Sequence, residues 1–124
     1  MPPIPHMNTE EFEKRAARAI RRLPKFFRDR IDNVAVLVAA APGVAQRRRF
    51  GPGLLGLYEG VPLLDRTAHY SGAMPDKITL FKNNIEARCS GAEELEKEIQ
   101  HVVMHEIAHH FGITDKELTD KGLY

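Results

Sequence analysis

The sequence predicts an α+β domain in which helices bracket a small β-sheet. Helical periodicity marks both ends of the 124-residue chain, and three apolar segments of strand length lie between them. The apolar fraction of 43% and the charged fraction of 28% are those of a folded globular protein and argue against disorder. A chain of this length is expected to form one domain, over residues 1–124, with a core of its own.

The N-terminal part of the chain is predicted to contain two helices. Asn8 caps the first, and Glu11 is placed to complete a capping box. One face of this helix is apolar and is expected to pack on the core through Phe12, Ala16, Ala19, Ile20 and Leu23. Pro24 ends the helix and is expected in the first turn of a short second one, residues 24–31.

Three segments in the middle of the chain are predicted to be strands. The continuous apolar run "NVAVLVAA", residues 33–40, predicts a strand buried on both faces. The next segment is predicted to be a loop, because it contains Pro42, Gly43, Gly51, Pro52 and Gly53. "LLGLYEG" and "KITLF" are the second and third strands, and the intervening "VPLLDRTAHYSG" receives no assignment.

The C-terminal part is predicted to be helical. Gly91 and the acidic start "AEELEKEI" open a long helix that runs to about Phe111. Gly112 ends this helix, because glycine readily adopts the left-handed conformation found at helix C-termini. Thr114 then caps one more short helix within "TDKELTDKGLY".

The charge distribution is uneven although the net charge is only +1. Residues 1–50 hold eleven Lys/Arg and five Asp/Glu, whereas residues 51–124 hold seven and twelve. The clusters "RAARAIRR" and "QRRRF" are basic enough to meet an anionic partner such as nucleic acid. Basic clusters are common on solvated surfaces, so we favour that interpretation and do not expect a nucleic-acid partner.

Cysteine usage and hydropathy predict a cytoplasmic protein with no membrane span. The single cysteine, Cys89, has no second thiol for an internal disulfide, and we expect it to be a buried small side chain rather than a zinc ligand. The N-terminus lacks the apolar region of a signal peptide. The longest apolar run is short and is broken by Pro42 and Gly43.

The segment "HVVMHEIAHHFGITD", residues 101–115, predicts a metal site on the long helix. Each residue of an α-helix turns the side-chain direction by about 100°. With Leu95 at zero, Glu106 comes at about 20°, His109 at about 320° and His105 at about 280°. We therefore expect these three side chains on the core-facing side, where His105 and His109 are stacked one turn apart and can share one Zn²⁺.

Glu106 is the candidate general base of this site. It follows the first histidine directly, so its carboxylate can reach a water held by the metal without ligating the metal. The H-E-x-x-H motif thus provides two metal ligands and one general base.

Two other histidines compete for these roles. His101 lies four residues before His105 and could form a rival pair, but about 12 Å of helix rise separates it from His109. Glu106 favours the later pair, because a catalytic water needs a base beside it. His110, at about 60°, turns toward the core side but away from both ligands and is expected to make a polar contact or to pack at the helix end.

A carboxylate after the helix supplies the third protein ligand. Gly112 allows the chain to reverse, and the reversal can bring Asp115 back toward the metal. Glu117 is the weaker rival for this role. Three protein ligands leave the fourth position for water, as a catalytic zinc site requires.

The completed motif H-E-x-x-H-x-x-G-x-x-D resembles the zinc-binding consensus of the metzincin proteases, in the variant whose third ligand is aspartate. The wider chain resembles the small bacterial zincin-like metallopeptidase family, also called minimal metalloproteases. The similar segments are "LPKFFRDRIDNVAVLV", "LLGLYEGVPLLDR", "MPDKITLF" and "HVVMHEIAHHFGITDKEL". This resemblance implies a compact zincin fold, with a small mixed sheet packed on the long helix. It also implies that His105, His109 and Asp115 are ligands and Glu106 is the base.

The sequence as a whole predicts a zinc-dependent peptidase that acts on peptides or flexible protein segments. A substrate could pair with an exposed edge of "KITLF" or "LLGLY". The candidates for a second stabiliser of the oxyanion are Tyr70, Tyr124 and His101.

The alternative is a catalytically silent zinc-binding, peptide-binding or regulatory module, which would have no use for Glu106. No oligomeric state is predicted. Met104 lies upstream of the third ligand, unlike the methionine turn of larger metzincins, and is expected to pack in the core.

Overall fold

The computed structural model of the chain describes residues 7–60 and 75–122. Within these ranges the helices and strands follow in a simple order. The helices are α1 (Thr9–Arg21), α2 (Lys25–Ile31), α3 (Val44–Phe50), α4 (Lys82–Glu86), α5 (Ala92–His110) and α6 (Asp115–Asp120). The strands are β1 (Val34–Ala39), β2 (Gly56–Glu59) and β3 (Asp76–Phe81). The unassigned segment "VPLLDRTAHYSG" lies outside the described residues.

The described strands form a small mixed sheet in the order β1-β3-β2. β1 runs parallel to β3, with Val34 opposite Asp76, and β2 runs antiparallel to β3, with Gly56 opposite Leu80. The third strand along the chain is therefore the central one. A mixed sheet packed on the 19-residue α5 confirms the α+β class and the zincin-like arrangement.

The core lies between the sheet and the helices. α5 packs against α1 on one side and against β2 and β3 on the other. Side chains from these elements are fully buried, including Phe12, Phe27, Ile78, Leu95 and Ile99. The long helix thus carries the core on one face, and its remaining surface is available for a site.

Two expectations for residues 33–53 are wrong. β1 is present, but it is an edge strand of the described sheet, and Leu37 is 47% exposed rather than buried. The expected loop contains the short helix α3, which begins after Gly43 and ends at Gly51 with φ of 90°. The two glycines that suggested a loop are the boundaries of a helix, because N-caps and C-terminal left-handed positions both favour glycine.

The N-terminal helices agree with expectation in all but one detail. Asn8 caps α1, since its Oδ1 accepts the Glu11 N–H at 2.8 Å. The reciprocal half of the capping box is replaced by an ion pair between Glu11 and Arg15 at 3.2 Å. Pro24 is the N-cap of α2 rather than a residue of its first turn.

The C-terminal elements form as expected. α5 ends at His110, and Gly112 follows in the left-handed region with φ of 68°. Thr114 caps α6, since its Oγ1 accepts the Glu117 N–H at 3.1 Å. Asp115 is therefore the first residue of α6, directly beyond the chain reversal.

Cys89 and Met104 also lie where they were expected. Cys89 is buried and its Sγ donates to the Ile85 carbonyl oxygen at 3.3 Å. Burial raises the pKa of this thiol from 9.0 to about 11, so it remains protonated at neutral pH. Met104 packs against the core cluster. No helix among residues 7–60 and 75–122 is long and apolar enough to cross a bilayer.

Candidate active site

Helix α5 and strand β2 approach each other closely at Gly56. A Cβ atom at this position would lie 2.7 Å from Val102 Cγ1 and 3.6 Å from Glu106 Cγ. Only a residue without a side chain fits here, because non-bonded carbon atoms pack at about 3.5–4.0 Å. Gly56 thus lets the β2 backbone lie directly against the part of α5 that carries the motif.

This approach holds the Glu106 carboxylate against the strand. The Tyr58 N–H, on β2, donates to Glu106 Oε1 at 3.1 Å. The same N–H is therefore directed toward α5 rather than into the ladder with β3. A backbone donor on a paired strand has little freedom, so this contact fixes the direction of a half-buried carboxylate.

The side chain of Tyr58 ties β2 to the end of α5. Its ring stacks on the His110 ring, with centroids 3.8 Å apart and planes inclined by 21°. Its hydroxyl donates to Asp76 Oδ2 at 2.8 Å, so the same residue spans from β3 to the helix. His110 therefore packs at the helix end, as expected from its direction on the helix.

Two adjoining cavities form a cleft on either side of Glu106. The first lobe has a volume of about 550 Å³ and extends along the loop before β2 toward Arg88, Glu98 and His101. The second lobe, of about 470 Å³, extends along β2 toward His109 and His110. The residues that line both lobes are Phe50, Leu54, Gly56, His105 and Glu106.

The expected metal ligands line a third, smaller cavity. His105, His109 and Asp115 all line a space of about 220 Å³ at the turn between α5 and α6. The two imidazole rings lie one helical turn apart, with centroids 6.2 Å apart and planes inclined by 38°. Glu117, the rival carboxylate, does not line this cavity, and its backbone N–H is used in the cap of α6.

The donor chemistry of this cavity fits zinc. Two imidazoles and one carboxylate are a common ligand set for a catalytic zinc ion. The side chains as placed do not converge fully, since no three His, Cys, Asp or Glu residues in the described part of the chain form a ready ligand cluster. All three candidates are exposed, and Asp115 follows the turn that Gly112 allows.

The histidines lie at the margin of the buried face rather than within it. His105 and His109 are exposed, whereas Val103 and Ile107 are buried. Val103 and Ile107 come at about 80° and 120° on the helix, so the buried arc is shifted away from the histidine side. The histidines were expected on the core-facing side, and this expectation is wrong because both are exposed. They do lie next to the buried Val102, as their directions on the helix predicted.

Other candidates from the sequence are only partly described. Tyr70 and Tyr124 lie outside the described residues, and His101 lines the first lobe together with Glu106. The contact from the Tyr58 backbone and the wall formed by Phe50 were not predicted. The isolated glycine in "LLGLYEG" was the available signal, because glycine inside a strand often marks a close backbone approach.

A comparison with family models decides the classification. A model described as a zincin-like metallopeptidase matches residues 31–123. The chain belongs to this family. A comparison with curated proteins found no match. The matched range includes every described strand together with α5 and α6, so the site lies wholly within the part that the zincin-like family shares.

Membership in the zincin-like family supports zinc binding and peptide hydrolysis in general terms. It confirms the resemblance found in the sequence. The observed fold agrees with it, because the helix that carries the motif packs beneath a small mixed sheet.

Proposed function

We propose that this chain is a zinc-dependent peptidase in which Glu106 is the general base. The observation that carries the proposal is the position of Glu106, at the junction of two cavities and fixed by the Tyr58 N–H. A purely structural zinc site would have no use for a carboxylate held in an open cleft.

We further propose that His105, His109 and Asp115 hold the metal. Their shared cavity adjoins the second lobe, since His105 and His109 line both spaces. When bound, zinc supplies a Lewis acid that acidifies water and polarises a carbonyl group. Histidine and carboxylate donors suit this ion, and their exposure leaves room for a substrate.

Glu106 carries the proton through the reaction. Its carboxylate accepts a proton from the attacking water, whose oxygen bonds to the peptide carbonyl carbon. The same carboxyl group then donates the proton to the amide nitrogen as the carbon–nitrogen bond breaks. The Tyr58 N–H occupies one carboxylate oxygen, Oε1, which leaves Oε2 directed to the reaction.

The substrate backbone is proposed to lie along β2. β3 is paired on both sides, by β1 and β2, so "KITLF" cannot accept another strand. β2 is an edge of the described sheet, and it lines the second lobe beside Glu106 through Gly56, Leu57 and Tyr58. An extended peptide at this edge would present its carbonyl groups to the cleft.

The test compares wild type with Glu106→Gln on a diverse peptide library, with zinc-loaded protein and cleavage followed by mass spectrometry. The expected result is cleavage by wild type and a loss of about 10²- to 10⁴-fold in kcat/KM in the variant, with zinc content unchanged. Glu93→Gln is the matched control, because Glu93 is an exposed acid in the first turn of the same helix.

Each outcome separates the two functions predicted from the sequence. Loss of activity in Glu106→Gln but not in Glu93→Gln establishes a peptidase with Glu106 as base. Absence of cleavage by zinc-loaded wild type on the whole library would reject the general peptidase and favour the silent zinc-binding module.

A further inference from the structure

Helix α3 is the one described helix of this chain that buries no residue. Its first residue, Val44, is 57% exposed, and its last, Phe50, is 45% exposed. Between them stand Arg47, Arg48 and Arg49, the arginine triplet, all exposed. Packing against the core therefore accounts neither for the three arginines of α3 nor for the exposed Phe50 ring at its end.

The arginine triplet has no acidic partner among the residues that the structure describes. Some other arginines are paired, for example Arg18 and Arg22 with Glu96. The dipole of a short helix favours a cation in its last turn, but a single arginine would be enough for this interaction. Consecutive helix residues point about 100° apart, so the three guanidinium groups spread positive charge around the C-terminal end of α3.

The C-terminal end of α3 adjoins the cleft. Phe50 lines both lobes beside Glu106, and the Arg49 guanidinium carbon lies 5.1 Å from the Phe50 ring centroid. Arg47 precedes Phe50 by three residues and lies about 60° from it around the helix, whereas Arg48 points to the opposite side. A ligand that fills either lobe next to Phe50 therefore meets Arg49 and Arg47 before Arg48.

We propose that the arginine triplet binds an acidic segment of the peptide substrate, next to the apolar residue that contacts Phe50. The inference rests on the proposed peptidase function, because it assigns the occupant of the same cleft. Guanidinium groups pair with carboxylates through fixed hydrogen-bonding geometry, and an aromatic ring beside them offers an apolar surface. The chemistry fits peptides that combine Glu or Asp with a neighbouring apolar side chain.

A peptide fits this surface better than a nucleic acid does. In the first lobe Glu98 is paired with Arg88 at 3.2 Å, and the Glu106 carboxylate would repel a phosphate placed beside it. The other basic cluster of the chain, on α1, has Arg18 and Arg22 engaged with Glu96. The triplet thus lies outside a cleft whose wall carries the Glu106 carboxylate, which suits an acidic segment attached to an uncharged one that enters the cleft.

The first experiment measures binding apart from catalysis. Zinc-loaded Glu106→Gln protein is titrated with fluorescein-labelled peptides that share one apolar segment and carry flanking Glu, Gln or Lys residues. We expect the Glu peptide to bind about tenfold more tightly than the Gln peptide, and the difference to shrink with added salt. Arg47→Gln/Arg48→Gln/Arg49→Gln should remove this difference.

A matched control makes the same charge change elsewhere. Arg21, Arg28 and Lys97 are exposed, line neither lobe of the cleft and make no ion pair with described residues. Arg21→Gln/Arg28→Gln/Lys97→Gln should therefore keep the preference for the Glu peptide. Equal loss in both triple variants would overturn the proposal and indicate a net-charge effect only.

The second experiment uses cleavage by the otherwise wild-type enzyme. The triplet variant should raise KM for a Glu-flanked substrate about tenfold, with kcat unchanged, and leave the Gln-flanked substrate unaffected. Unchanged KM would overturn the inference while leaving the peptidase intact. Tighter binding of a single-stranded oligonucleotide than of the Glu peptide would also overturn it, in favour of a nucleic-acid surface.

Discussion

Charged groups are arranged differently on two sides of this molecule. Where α1 packs on α5, Glu96 meets both Arg18 and Arg22, and below the sheet Lys82 pairs with Glu86 in the core. At the cleft one ion pair, Arg88 with Glu98, lines the first lobe, but Asp115 and the arginine triplet have no ion-pair partner among the described residues, and the motif histidines are exposed. We refer to these as the paired region and the cleft region.

The difference teaches which charges serve stability and which remain available to a ligand. An ion pair that satisfies both partners holds two elements together and has no capacity left for a substrate. An unpaired, exposed group contributes little to folding, so its presence in a cluster points to another role. Substitutions in the paired region should therefore lower the free energy of unfolding, whereas substitutions in the cleft region should lower binding or activity.

The largest expected effect is on zinc binding in the cleft region. His105→Ala, His109→Ala and Asp115→Ala should each abolish equimolar zinc binding, measured by metal analysis after dialysis. A catalytic zinc ion that loses one of three protein ligands is held too weakly to survive dialysis. The apo variants should remain folded, because the three side chains are exposed and contribute little to the core.

Controls for this prediction use the rival residues. His101→Ala and Glu117→Ala should retain zinc, since Glu117 does not line the small cavity and His101 lies on the first lobe instead. Zinc retained by Asp115→Ala but lost from Glu117→Ala would reassign the third ligand. Loss from His101→Ala but not from His109→Ala would select the earlier histidine pair.

The next effect is on stability in the paired region. Lys82 and Glu86 are 8% and 2% exposed and lie 3.0 Å apart, and Glu86 also accepts the Met7 N–H at 3.1 Å. Lys82→Met should lower the free energy of unfolding in urea by about 3–5 kcal/mol, because it removes the Lys82 ammonium from a buried carboxylate. Metal binding of the folded fraction should be unaffected.

A double variant tests the cause. Lys82→Met/Glu86→Leu removes both charges and should recover part of the lost stability. Loss in the double variant equal to or greater than that in the single one would show that the apolar packing of Lys82, and not the uncompensated charge, dominates.

Much of the fold could be predicted because its signals are local. The caps at Asn8 and Thr114, the reversal at Gly112 and the strand β3 each depend on a few neighbouring residues. The burial of β1 could not be predicted, because an apolar run does not reveal whether its strand will lie at the centre or the edge of a sheet. α3 was missed because it has no apolar face to give a helical period.

The same distinction applies to the site. The roles predicted for Glu106 and the histidines follow from spacing along one helix, which the sequence gives directly. The Tyr58 contact joins residues 48 positions apart, and the Phe50 wall depends on how the loop before β2 crosses the helix. These features arise from packing between distant segments, so only the structure reveals them.

A smaller effect is expected where the two elements of the site meet. Gly56→Ala places a methyl group 2.7 Å from Val102 Cγ1, so strand and helix must separate. We expect a loss of about 1–3 kcal/mol in the free energy of unfolding and a lower kcat, because the Tyr58 N–H moves away from Glu106. Gly53→Ala is the control, since a methyl group there meets no atom within 4 Å. Equal stability of both variants would show that β2 tolerates this shift.

The smallest effect tests the paired region where it is most exposed. Glu96 is 15% exposed, whereas Arg18 and Arg22 are 53% and 57% exposed and lie 3.2 and 3.5 Å from its carboxylate. Solvent screens such pairs, so Glu96→Gln should cost no more than about 1 kcal/mol, and salt should reduce that cost. A cycle with Arg18→Gln measures the coupling directly. If Glu96→Gln leaves the peptide preference unaltered, the paired region takes no part in substrate binding. A shift toward acidic peptides would show that Arg18 and Arg22, once released from Glu96, also attract substrate.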